Sequence, residues 1–114
     1  MKRLVVACAL LFLISGCAYV QLTKDGAAVK VADPSQIALL TKCKSLGQVN
    51  SITDQGKQKT IENLKNETAE RHGNIVLSRL QPTQTANGLI LEISGVAYAC
   101  PKSISETIID ASML

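Results

Sequence analysis

Tryptophan is absent from the chain, phenylalanine occurs once, at Phe12, and the tyrosines are Tyr19 and Tyr98. Aromatic rings carry the largest buried areas of most domains, so any core built here is aliphatic. His72 is the single histidine. A metal centre assembled from several imidazole and thiolate ligands therefore lacks its parts. No glycine-rich phosphate loop, no carboxylate pair with local support and no catalytic triad pattern occurs. Internal repeats and low-complexity segments are also missing. These absences leave no catalytic residue, no metal ligand set and no resident cofactor to expect. They turn attention to the one long apolar run.

That run occupies residues 4–14, directly after Lys2 and Arg3, and it ends in the small residues Ser15, Gly16, Cys17 and Ala18. A charged start, a short apolar core and a small-residue end form the three-part layout of a secretory signal. Its eleven strictly apolar residues fall short of the roughly 20 that a helix needs to cross a bilayer, and an uncleaved anchor continuing to Val20 is the second choice. The precursor's net charge of +3 includes Lys2 and Arg3, and the chain after residue 16 keeps ten basic against nine acidic residues. Its basicity belongs largely to the leader, so nothing argues for nucleic acid or for a basic membrane-binding patch.

Ile14, Ser15, Gly16 and Cys17 resemble the lipobox of bacterial lipoproteins. The resemblance implies cleavage between Gly16 and Cys17 and covalent lipid on Cys17, including an acyl chain on the new amine. Small residues let an extended backbone enter a protease, and the thiol is the nucleophile for lipid transfer. Each buried methylene contributes about 0.8 kcal/mol, so two or three acyl chains make a stable anchor. Ala18, where an aspartate would hold such a lipoprotein at the inner membrane, implies the outer membrane, with the domain facing the periplasm. The expected organisation is a signal peptide over residues 1–16, a lipidated tether over 17–28, a domain over 29–101 and a tail over 102–114.

Cys8 leaves with the signal and Cys17 is taken by lipid, so Cys43 and Cys100 remain as an even pair in an oxidising compartment. A disulfide between them is expected. Two free thiols or a reactive pair form the alternative. By pattern, Val29 to Val31 alternate as a brief strand ended by Asp33 and Pro34, and residues 37–40 suit a turn of helix. The segment from Cys43 to Ile52 reads as extended, with Gly47 marking a bulge or a close backbone approach. Residues 57–73 hold the best helix, with Ile61, Leu64 and Thr68 on one stripe and Ala69 widening it, a Glu67–Arg71 pair, and Gly73 as a left-handed stop. Residues 75–80 and 89–100 read as two strands of an antiparallel hairpin across an eight-residue loop containing Asn87 and Gly88, with a second bulge at Gly95. Ser103 or Ser105 would cap a short helix in the tail. The fold expected is α+β: a small, mainly antiparallel β-β-α-β-β sheet with one main helix on one face, stapled by a disulfide.

With Cys43, Leu46, Gly47 and Val49, then Leu64, Lys65, Asn66 and Ala69, then Gly73, Asn74 and Ile75, and finally Gly95, Ala97, Tyr98, Cys100 and Pro101 in that order, the chain resembles small bacterial envelope lipoproteins of the domain-of-unknown-function 4156 type. That family is distantly similar in layout to the outer-membrane sensor lipoprotein of the Rcs envelope-stress pathway. This chain has a single bridge and no proline-rich spacer, and it places Arg71 and His72 where relatives have apolar or small residues. Asn66 and Asn74 match the family pattern and are the polar positions to weigh as structural or partner-contact residues. For Asn74 a turn or capping role is expected. His72, in the last helical turn, suits a cation near the helix C-terminus. The function expected is a non-enzymatic binding or structural component of the envelope, held to the membrane by its lipid and meeting an envelope protein partner. The rival is an envelope stress or redox sensor that switches Cys43 and Cys100 between bridged and reduced states.

Overall fold

The computed structural model describes residues 21–85 and 90–113. Gly16 and Cys17, and the turn at Asn87 and Gly88, lie outside the described residues. In chain order the elements are α1 (Lys24–Ala27), β1 (Lys30–Ala32), a 3₁₀ helix (Pro34–Lys42), β2 (Lys44–Thr53), α2 (Lys57–Glu70), β3 (Ile75–Leu77), β4 (Thr83–Thr85), β5 (Ile90–Ala99), α3 (Lys102–Thr107) and a final 3₁₀ turn (Ala111–Met113). They form an α+β fold with a five-stranded sheet in the order β1-β3-β5-β2, β4 pairing with the first half of β5. β5 is the organising strand. It pairs antiparallel with β2 along its whole length, with β3 near Tyr98 and with β4 near Leu91.

The expected antiparallel sheet is thus present, with two additions. β1 runs parallel to β3, Lys30 opposite Ile75 and Ala32 opposite Leu77, a long-range pairing that alternation in one segment cannot announce. The loop expected after β3 contains β4. The strand expected over residues 75–80 stops at Leu77, because the Ser78 hydroxyl accepts the Leu80 N–H and donates to the Ser94 carbonyl. Side-chain bonds of this kind compete with the sheet ladder.

The Gly47 bulge is present as a register shift between Ser45 and Gly47, with Gly47 at φ 97°. The bulge at Gly95 is not. Gly95 pairs in register with Val49, and a Cβ there would come within 2.8 Å of the Leu77 carbonyl oxygen. Its small size serves close strand approach.

Two aliphatic layers hold the sheet. On one face Val29, Val31, Val49, Ile61, Leu64, Val76, Ile93 and Ala97 form a cluster between strands and α2. On the other, Ala32, Leu40, Ile75 and Ile108 gather with Leu39, Cys43, Tyr98, Cys100 and Ile104 beneath the 3₁₀ helix and α3. The Cys43–Cys100 disulfide is formed, with Cα atoms 4.4 Å apart across a sequence separation of 57. It joins the start of β2 to the end of β5.

Polar residues complete the α2 interface. Ser51 is fully buried and donates to the Thr60 carbonyl at 2.6 Å, and Asn63 donates to its oxygen. Thr60 donates to the Gly56 carbonyl, which leaves the Thr53 hydroxyl to donate across the 2.6 Å contact with Thr60. Every hydroxyl buried here has a partner, so the layer avoids the penalty of about 1–3 kcal/mol for an orphaned group. Ile52, apolar in sequence, faces outward and is 59% exposed.

The C-terminus of α2 corrects another expectation. Gly73 donates to the Thr68 carbonyl and His72 to the Ala69 carbonyl, the paired bonds of a Schellman motif. The left-handed residue is His72, at φ 64°, and not Gly73. Gly73 is needed for space, since a Cβ would lie 2.9 Å from the Thr68 methyl and 3.1 Å from the Tyr98 carbonyl oxygen. A non-glycine residue in that left-handed position is strained by roughly 1–2 kcal/mol. His72→Gly is therefore expected to stabilise the domain by about 1 kcal/mol, read as a higher urea midpoint with unchanged slope.

The described residues of both flanking segments, 21–28 and 102–113, pack onto the expected domain. Thr23 caps α1, and Gly26 is buried against α2. Neither Ser103 nor Ser105 caps α3, whose N-cap position is Pro101 and which has no side-chain cap. The tail is fastened instead through Asp110. Its Oδ1 accepts the Val31 and Ser112 N–H groups and the Ser112 hydroxyl, and its Oδ2 lies 3.3 Å from Lys65 Nζ. Lys30, the neighbour of Val31 in β1, donates to the Ser105 and Ile108 carbonyls.

Candidate functional site

The asparagines singled out by sequence are both engaged within the domain. Asn66 accepts from the Thr23 N–H and hydroxyl and donates to the Gln21 carbonyl at 2.7 Å, pinning the N-terminal segment to α2. Asn74 accepts from the Cys100 N–H at 2.8 Å and donates to its carbonyl at 3.0 Å. The side chain thereby continues the ladder past β5, beside the disulfide. Cys43 and Cys100 are half-buried in the second apolar layer. His72 is exposed and distant in sequence from both. Among the described residues, no three His, Cys, Asp or Glu side chains gather as a metal site, and no helix is long and apolar enough to cross a membrane.

The concave surface lies elsewhere. β1 and β3 are parallel neighbours, so both leave the sheet at the same end. β1 continues into Asp33 and the 3₁₀ helix, and β3 continues into residues 78–82 toward β4. Chains diverging from adjacent parallel strand ends open a crevice, the geometry that places ligands at strand termini in open α/β sheets. A short turn joins the end of α2 to the start of β3, which carries the first turn of α2 back to that same end. The tail, held by Asp110, supplies the remaining wall. The result is a cleft of about 790 Å³, within the roughly 300–1,000 Å³ of small-ligand sites.

Its lining divides into a floor and a rim. Ile61, Leu80 and Ala111 supply apolar surface, with Ile109 standing 62% exposed beside them. Lys57, Gln58, Arg79 and Gln81 are exposed polar side chains at its edge. Asp33 is the lining carboxylate. Hydrogen bonds from Ser35, with its N–H at 3.0 Å, together with the charge of Arg79, hold its carboxyl below the usual range. Ser78 and Ser112 are committed to Ser94 and Asp110. Gln36 Oε1 is buried without a hydrogen-bond partner.

Leu80 stands at φ 54°, and this left-handed residue turns the chain between Arg79 and Gln81. Sequence reading passed over this constellation. Local signals existed in Arg79, closing a branched apolar run, and in Lys57, opening a helix whose first turn holds no acidic residue. Neither says that residues 33, 57, 79 and 112 converge.

The fold and the cleft define a disulfide-stapled α+β domain with a polar-rimmed, apolar-floored groove at one sheet end. Compared with known proteins, the chain matches no family model and no curated protein.

Proposed function

We propose that the chain is a lipid-anchored envelope protein, carried to the outer membrane with its domain in the periplasm, whose role is binding and not catalysis. The observation that carries the binding role is the cleft itself: a concavity of ligand size in which unengaged polar side chains ring an apolar floor. Its hydroxyls and its carboxylate are tied into the fold. No nucleophile is paired there with a base in the manner that covalent or acid–base chemistry needs. The anchor rests on the leader and on the Ile14-Ser15-Gly16-Cys17 pattern.

The anchor is tested by mass spectrometry of the protein extracted from membranes. The expected N-terminal peptide begins at Cys17 and carries diacylglyceryl plus one acyl group. Cys17→Ala is expected to remain unacylated and uncleaved, beginning at Met1. A wild-type chain that itself begins at Met1 without lipid would overturn the anchor.

A further inference from the structure

We infer that the cleft takes an anionic amphiphile, a phosphate or carboxylate head on an apolar chain, an assignment that rests on the binding role proposed above. The cleft lining carries two cations and three glutamine amides, one of whose oxygens, Gln36 Oε1, is buried without a donor. Among the described residues Lys57 and Arg79 have no carboxylate within 4 Å, the Arg79 charge acts on Asp33 from farther off, and the Gln58 and Gln81 amides stand exposed beside them. Asp33, the lining carboxylate, is already turned to Ser35. Two cations against one engaged carboxylate leave the rim net positive.

Lys57 also occupies the first turn of a 14-residue helix, with no acidic residue beside it and no side-chain cap at Gly56. A cation at that end of a helix opposes the macrodipole, so helix stability does not account for it. An oxyanion between Lys57 and Arg79 would relieve that opposition and accept charge-assisted bonds from both.

The floor selects the rest of the ligand. Ile61 is 5% exposed and Ile109 is 62% exposed, so apolar surface runs from the base of the cleft out to its lip. A free inorganic anion would leave that surface wet. An alkyl chain covers it, and each methylene removed from water contributes about 0.8 kcal/mol. Head and chain thus match the two kinds of surface the cleft presents.

The test uses the lipidated protein in phosphatidylcholine nanodiscs, titrated calorimetrically with empty nanodiscs subtracted for partitioning. The probes are octyl phosphate, octanoate, octyl glucoside and inorganic phosphate, each below any micelle concentration. Saturable binding of octyl phosphate or octanoate is expected, with octyl glucoside and inorganic phosphate weaker by about tenfold or more. Whichever anionic head binds tighter names the oxyanion. The Lys57→Gln/Arg79→Gln double variant should lose about tenfold or more for the anionic probes, with an unfolding midpoint no lower than the wild type's, because both side chains are exposed and the loss of Lys57 relieves the opposed macrodipole.

Ile109→Ser should weaken the octyl probes and leave inorganic phosphate unchanged. Equal affinity for octyl glucoside and octyl phosphate, or full affinity in the double variant, overturns the anionic assignment while leaving the cleft a binding site. Absence of saturable binding by every probe overturns the inference altogether, and the mass of the Cys17 peptide still decides the anchor independently.

Discussion

Replacing Cys43 and Cys100 together by alanine is expected to lower the unfolding free energy by about 4 kcal/mol, the chain-entropy value for a closed loop of this length. The separation of 57 residues spans β2, α2, β3, β4 and β5, so the bond restricts most of the unfolded chain. The domain has little reserve against that loss. Both buried layers are built from valine, isoleucine, leucine and alanine, with Tyr98 the one aromatic packed against them among the described residues. Small domains have total stabilities of about 5–15 kcal/mol. Urea unfolding of the wild type and the double variant at one pH measures the difference directly.

The same bond discriminates between a staple and a switch. Cys43 and Cys100 pack against Ile75 and Ile108 in the second layer, and the Asn74 amide closes the backbone of Cys100 from the side. Reduction by dithiothreitol is therefore expected to be slow in buffer and to accelerate with urea in step with unfolding. Rapid reduction of the folded domain would instead favour redox sensing.

Asp110→Ala is expected to cost about 2–3 kcal/mol and to loosen the tail that walls the cleft. The substitution leaves Lys65, only 8% exposed, without its carboxylate and removes an acceptor from the Val31 N–H. Lys65→Met should cost less, since it removes the cation and keeps the Asp110 bonds to Val31 and Ser112.

Acid should act through the same group. Burial alone would raise the Asp110 carboxyl, but bonds from Ser112 and Val31 and the charge of Lys65 outweigh it and hold the pKa below its usual value. A carboxylate depressed in the folded state adds stability that is complete above its unfolded pKa, about 3.9, and is lost as pH falls through the lower folded value. Asp110→Asn should flatten the fall in urea midpoint below about pH 4, leaving a residual slope from groups such as Asp33.

Local pattern sufficed wherever neighbouring residues carry the information. The stripe through Ile61, Leu64 and Thr68 placed α2, and the branched, alternating residues placed β2 and β5. An even pair of cysteines left after the leader and the lipobox pattern pointed to the Cys43–Cys100 bond that the fold contains. Composition, with no tryptophan and one phenylalanine, made an aliphatic core unavoidable. These inferences need only periods of two or 3.6 residues, or the chemistry of one residue type.

Long-range partners settled the rest. Ser51 and Thr53 look solvent-bound until α2 lays the Thr60 hydroxyl and carbonyl against them. Asp110 reads as one acid in a tail until β1 offers an unpaired N–H and α2 offers Lys65. His72 takes the left-handed position because Gly73 is held for close contact with Thr68 and Tyr98. The cleft joins four segments that share no local period, brought together by the parallel pairing of two three-residue strands. A pairing so short leaves almost no trace in either strand, because its stability comes from the layers on both faces and only slightly from its own residues.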